Sequence, residues 1–200
     1  MKKLAILILL VTQAILISSS LNGQSKAITF SVVAGLSKSS IVGESESWKD
    51  PLGGQAGVIV SLTNFSESLS LKAEANISMQ GAKWEEMING LVEGRTNLLY
   101  LNVPVVLRYR FKNGVFAEAG IQPGLLLMAK DKYNGITEDY KDYVNTFDLG
   151  IPAGIGYEFK KRYAIGLRVI QGITNINSQD AAKDYNFVVA LRFIYTFEPK

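Results

Sequence analysis

Ser68-Leu69-Ser70-Leu71-Lys72-Ala73-Glu74-Ala75-Asn76-Ile77-Ser78-Met79-Gln80 alternates polar and apolar residues without exception. Successive side chains of a β-strand point to opposite faces, so a strict period of two gives this segment one greasy face and one polar face. The run is long beside the ~5–6 residues usual for a strand in a soluble protein. Similar runs recur toward the C-terminus behind an N-terminal segment of secretory character. Together they predict an all-β chain: an eight-stranded antiparallel transmembrane up-and-down β-barrel, apolar outside and polar inside.

Lys2 and Lys3 form a basic n-region, Leu4 to Val11 and Ala14 to Ile17 an apolar core, and Ser18, Ser19, Ser20 and Gly23 a small-residue cleavage region. This pattern predicts a signal peptide over residues 1–23, cut near Gly23–Gln24, with the barrel domain over 24–200. Thr12 and Gln13 interrupt the apolar stretch, which is short for a membrane anchor. The chain has 21 Lys and Arg against 18 Asp and Glu. Without Lys2 and Lys3 the basic count is 19 against 18, so no basic face for nucleic acid is indicated.

Eight segments read as strands. They lie at about 27–37, 55–63, 68–80, 97–111, 115–129, 146–159, 163–171 and 186–197. Short connections follow the second, fourth and sixth, with Asn113-Gly114 as a strong hairpin dipeptide. The connections at 38–54, 81–96, 130–145 and 172–185 are long. Short turns at one rim and long loops at the other are expected of an outer-membrane barrel, and an even strand number returns both termini to the short-turn rim. Pro104, Pro123 and Pro152 fall inside expected strands and count against them, because proline removes a ladder donor that a bulge or a strand end would have to absorb.

The faces opposite the apolar ones hold Lys72, Glu74, Arg108, Arg110, Glu118, Asp148, Glu158, Arg168 and Arg192. An eight-stranded barrel is just wide enough for side chains to fill it, so these charges are expected to pair across the lumen as a salt-bridged plug. A conducting or catalytic interior is the alternative. Tyr100, Tyr109, Phe111, Tyr157, Phe159, Tyr163, Phe187, Tyr195 and Phe197 cluster toward strand ends, as interfacial aromatic girdles would. Trp48 and Trp84 fall in long loops, where they could meet lipopolysaccharide or a partner or pack beneath their own loops.

The acidic stretch from Asp131 to Asp142 lacks the ligand spacing of a calcium loop, and neighbouring lysines offset its charge, so a hydrated surface loop is expected. There is no histidine and no cysteine. Ser-His hydrolysis, His-dependent zinc sites and thiol chemistry are therefore excluded. No cofactor is implied, and an enzyme is not expected.

With the strands placed, the chain resembles the PorT-like outer-membrane β-barrels of Gram-negative bacteria. The residues that carry the likeness are Tyr100 to Tyr109 (YLNVPVVLRY), Ala119 to Gly124 (AGIQPG), Gly154 to Phe159 (GIGYEF), Gly166-Leu167-Arg168, Gly172 to Ile176, and the close on Tyr195-Thr196-Phe197. These are strand and turn patterns and transfer no ligand or catalytic residue. The resemblance implies a cell outer-membrane location and, from the family's named member, a place beside a protein-secretion apparatus. It also implies that Phe193, Tyr195 and Phe197 form the C-terminal signal read by the barrel-insertion machinery. The partners expected are outer-membrane lipid, that machinery during assembly, and a secretion or surface complex; nucleic acid is not among them. The function expected is structural or interactive, through four long extracellular loops. An accessory secretion component, a narrow solute pore and a soluble lipocalin-like barrel are the rivals.

Overall fold

The computed structural model describes residues 29–44, 51–87, 91–160, 162–179 and 182–197. The expected signal peptide, its cleavage point and Trp48 lie outside these residues. In chain order the strands are β1 (Phe30–Gly43), β2 (Leu52–Asn64), β3 (Leu69–Met87), β4 (Leu91–Asn102), β5 (Val105–Arg110), β6 (Val115–Tyr133), β7 (Ile136–Asp139), β8 (Phe147–Phe159), β9 (Tyr163–Gly172) and β10 (Asp184–Thr196). Among the described residues one 3-10 turn spans Lys141–Tyr143.

Strand pairs are antiparallel and mostly join chain neighbours, with β4 and β5 stacked end to end as one stave between β3 and β6. β10 returns to β1, from Ser31↔Thr196 to Gly43↔Asp184, and closes a ring of eight staves. In lipid no water is present to satisfy backbone N–H and C=O groups, so a sheet can span only when closed.

The outward faces are apolar. Phe30, Val32, Leu36, Val58, Ile77, Met79, Ile121, Ile155, Leu167 and Leu191 are each at least 40 % exposed. A soluble lipid-carrying barrel would have these faces reversed. On β3 the outward residues from Leu69 to Met79 are Leu71, Ala73, Ala75 and Ile77 between those two. At about 3.3 Å per residue and a tilt of about 40°, that stretch rises roughly 25 Å, the height of the apolar band of such barrels.

The three tight turns lie at the rim shared with Phe30 and Thr196. In the first, the Ser66 hydroxyl accepts from the N–H groups of Ser68 (3.2 Å) and Leu69 (3.0 Å). In the second, Asn113 Oδ1 accepts from Val115 N (3.2 Å), and Gly114 takes φ +88°, a conformation that favours glycine. The third turns at Lys160.

Three differences from the sequence expectation have physical causes. The expected fourth strand is broken at Val103-Pro104. Pro104 cannot donate, and its carbonyl instead accepts from Glu74 N at 2.8 Å. The β6–β8 ladder likewise skips from Ala119↔Ala153 to Gln122↔Gly150 around Pro152. Strands also extend past the apolar belt at the long-loop rim, most of all β3 and β6. Finally, the stretch expected to be plain loop at 130–145 begins as a hairpin, β6 turning into β7 at Asn134-Gly135 with φ of 48° and 78°.

Candidate functional site in the barrel lumen

Inward positions fill the lumen in layers. At mid-height Glu74 (β3), Arg108 (β5), Glu118 (β6), Arg168 (β9) and Arg192 (β10) meet across the barrel, each at most 7 % exposed. Arg168 is the hub. Its Nη1 and Nη2 donate to the two Glu74 oxygens at 2.9 and 2.7 Å, and its Nε and Nη2 donate to Glu118 Oε1, the Nε at 2.8 Å. Arg108 grips Glu118 Oε2 through Nε and Nη2 at 2.9 and 2.7 Å. Arg192 reaches Glu74 Oε2 at 2.6 Å and Glu118 Oε1 at 3.2 Å, while its Nε has no hydrogen-bond partner.

Local sequence makes this meeting possible. Arg108 and Glu118 are direct cross-strand partners, and Gly154 separates Glu118 from Arg168 in the same row. A Cβ at Gly154 would lie 3.3 Å from Glu118 Cγ and Oε1, so the glycine leaves the carboxylate room to reach β9. Toward the short-turn rim, Val33, Ile59, Phe116, Ala164 and Ile194 form an apolar disc beneath the charges. The Arg108 guanidinium lies 4.1 Å over the Phe116 ring, a cation–π contact that helps hold it. At Gly156 a Cβ would stand 2.3 Å from Phe116 Cζ, so glycine there is what admits the ring.

Below the disc, a polar vestibule of about 270 Å³ opens at the short-turn rim. Arg110 and Glu158 pair loosely within it at 3.4 Å, and Lys72 Nζ donates to Ser61 Oγ at 3.3 Å. Above the charges comes a hydrogen-bonded layer. Asp148 accepts from Thr174 Oγ1 (2.7 Å) and Asn186 Nδ2 (2.8 Å), and Asn102 Nδ2 donates to Ser78 Oγ (2.8 Å).

An apolar cap lies over that layer. It is built from Ile41, Ala82, Leu98, Tyr100, Leu126 and Ala129 of the wall, with Val144 and Ile176 folded in from two loops. The loops are tied to each other: Asn145 N donates to Ile176 O at 2.7 Å, and Asn145 Nδ2 donates to the carbonyls of Asn175 and Asn177 at 3.0 and 3.1 Å. A recess of about 30 Å³ lies among Ile41, Leu98, Tyr140, Val144 and Ile176.

The residues expected in the lumen are thus distributed over several levels. Glu74, Arg108, Glu118, Arg168 and Arg192 form one cluster; Arg110 and Glu158 pair below it; Lys72 makes no ion pair among the described residues; and Asp148 sits a layer higher with Thr174 and Asn186. Tyr100 is a correction. Expected in an aromatic girdle, it is fully buried inside the barrel, its hydroxyl 3.4 Å from Asn186 Nδ2. Its position between Leu99 and Leu101 dictates the inward direction, and the polar hydroxyl fits that environment.

Trp84 packs against Gly94 of its own hairpin and Tyr133 of β6, and donates to Asp131 Oδ1 of β6 at 3.0 Å. The apolar cap was not anticipated, because Val144 and Ile176 stand in loops without periodicity. Among the described residues, no group of three or more acidic side chains is placed to hold a metal ion.

Outside, Tyr157, Phe159, Tyr163, Tyr195 and Phe197 form a run of ring contacts of 5.1–6.4 Å around the short-turn rim. Phe193, Tyr195 and Phe197 lie on the outward side of β10, and Phe197 N bonds Phe30 O at 2.9 Å where the ring closes.

A family model described as an outer membrane protein beta-barrel domain matches residues 22–178. The chain belongs to that family. Its place is the outer membrane. Solved structures of the same architecture include the neisserial surface protein A, with TM-score 0.60 and 11 % identity over 86 % of this chain and 100 % of that one. Another is Ail, the attachment invasion locus protein of Yersinia pestis, solved with the heparin analogue sucrose octasulfate. Its TM-score is 0.55, with 16 % identity over 86 % of this chain and 100 % of that one. At such identities the likeness is one of fold. A comparison with curated proteins finds no match.

The cluster makes a definite demand on stability. Truncating one member of a buried ion pair strands its partners' charge, at about 3–5 kcal/mol. Arg168→Ala is expected to lower unfolding free energy in detergent by about that amount, read from urea titrations. Thr137→Ala, on the exposed β7 arm of the hairpin around Asn134, should stay within about 0.5 kcal/mol.

Proposed function

We propose that this barrel is a closed, non-conducting outer-membrane protein with a structural or interaction role, presenting its four long loops at the cell surface. The observation that carries the reading is the filled lumen: an ion cluster, an apolar disc below it and an apolar cap above it succeed one another along the axis. A solute would have to displace paired charges and two apolar layers. The narrow-pore reading has no comparable support.

The loops also favour presentation over passage. Val144 and Ile176 anchor two of them into the cap, so their outer faces are held in fixed relation to the wall. By the usual plan of these barrels the short-turn rim faces the periplasm and the loops face out. The narrower PorT-like likeness adds a specific alternative, service as an accessory of a secretion apparatus, which co-purification from the native membrane with its neighbours would reveal. No catalytic role is proposed.

Purified protein in planar bilayers should remain electrically silent; steady single-channel conductance would overturn the closed reading. Because the chain has no cysteine, orientation can be read with single thiols. Asn134→Cys should react with a membrane-impermeant maleimide on intact cells, and Asn113→Cys only after the outer membrane is breached. The reverse pattern would place the loops in the periplasm.

The outward aromatics of β10 supply the proposed signal for the insertion machinery. Phe197→Asp is expected to reduce membrane insertion much more than deletion of Pro199 and Lys200, measured as the membrane-embedded fraction after pulse labelling. A charge on the lipid face near an interface costs only about 0–1 kcal/mol, so simple loss of lipid contact would give a mild defect.

A further inference from the structure

The two rims of the apolar belt are finished differently. The short-turn rim carries the aromatic run, whereas the long-loop rim carries a row of cations. Lys83 of β3 is the direct cross-strand partner of Arg95 of β4, and Arg95 that of Lys132 of β6. Their chain neighbours Ala82, Thr96 and Asp131 are buried in the lumen, so the three cations share the outward face. The next outward row toward the membrane is Gly81, Asn97 and Lys130, and the row after that is Met79, Leu99 and Met128. The cations therefore stand four residues along each strand above that last apolar row, with one outward row between.

Like charges directly opposite one another on a sheet repel, with Cβ atoms about 4.5–5.5 Å apart. Among the described residues neither Lys83, Lys130 nor Lys132 has an ion-pair partner. Arg95 Nη2 donates to the carbonyl of Leu52 at 3.3 Å, and its Nε is buried without a partner. Glu85 and Glu93 occupy the row above on the same face, and Asp139 stands opposite Lys130, yet none forms an ion pair with Lys83, Arg95 or Lys132. Three adjacent cations with no anion of their own, at the depth of the headgroups, suit a multiply charged anion supplied by the membrane.

We propose that Lys83, Arg95 and Lys132 form a binding site for the phosphate groups of an outer-leaflet lipid whose acyl chains lie against Met79, Leu99 and Met128. A phosphate converts the repulsion of the row into attraction, and the Arg95 guanidinium can present paired donors to it. Lys130 adds a cation one row nearer the acyl chains. The proposal rests on the reading that the long loops face the cell exterior, and is independent of whether the lumen conducts.

The test is native mass spectrometry of the folded protein in neutral detergent, titrated with diphosphoryl lipid A and with the same lipid stripped of both phosphates. Wild type should retain the phosphorylated lipid at least tenfold more tightly than the stripped one. The K83Q/R95Q/K132Q variant should lose that preference, and K112Q/K160Q, at the opposite rim, should keep it. Folding is checked by heat-dependent gel mobility. If the triple variant does not fold, K83Q/K132Q, which leaves the Arg95–Leu52 bond in place, gives the same readout, and K83R/K132R should bind like wild type. Equal retention of both lipids by wild type, or an undiminished preference in the glutamine variants, would overturn the site. Sucrose octasulfate that binds the row as tightly as the phosphorylated lipid would also overturn it, assigning the row to soluble polyanions.

Discussion

The structure depends on two carboxylates that must each be shared. Glu74 and Glu118 stand in the interior of a ring whose outside is hydrocarbon, where an unpaired charge is untenable. Three guanidiniums from β5, β9 and β10 converge on them, and Arg168 uses the planar fork that only arginine offers to hold both at once. Glycines across the row create the space, the Phe116 disc closes the cluster from below, and the wall curves around the whole. Replacing any of these parts alters what the others can do.

The outside obeys a different constraint. Every stave must complete its hydrogen bonding with its neighbours, so the sheet closes on itself and the apolar residues face outward. That requirement explains why the prolines fall where they do. Pro104 divides a stave and Pro152 interrupts a ladder, and at Pro104 the freed groups find partners in adjoining strands, as the Glu74 N bond to its carbonyl does. At the Pro104 break the wall is held by backbone bonds, Glu74 N to Pro104 O at 2.8 Å and Val103 N to Pro123 O at 2.9 Å.

The membrane belt was legible in the sequence because its two faces meet different media. Alternation from Ser68 to Gln80 survives as an outward and an inward face, and Lys112-Asn113-Gly114 turns as its composition implies. The contrast reverses above the belt, where Lys83, Lys130 and Lys132 face outward while Ala82 and Ala129 are buried inside, and the extended hairpins there went unread. Asn134-Gly135 carried a usable turn signal that was masked by the charges around it. Within the lumen, Glu74, Arg108, Glu118, Arg168 and Arg192 are buried on the face that parity assigns them. Pairing partners and height could not be read, since they depend on stagger between staves. Asp148 accordingly ended with Thr174 and Asn186, and Tyr100 followed its parity against its residue type.

The ion cluster joins residues far apart in the chain, with Glu74 and Arg192 separated by 118 positions. Both carboxylates precede β9 and β10, so a wall lacking those two staves holds Glu74 and Glu118 with Arg108 as the sole guanidinium of the cluster. An unclosed barrel therefore carries a charge imbalance in its interior as well as open edges. Both are relieved in the same event, when β10 meets β1. Closure is made cooperative from within: joining β9 and β10 to the other staves completes the electrostatics of Glu74 and Glu118.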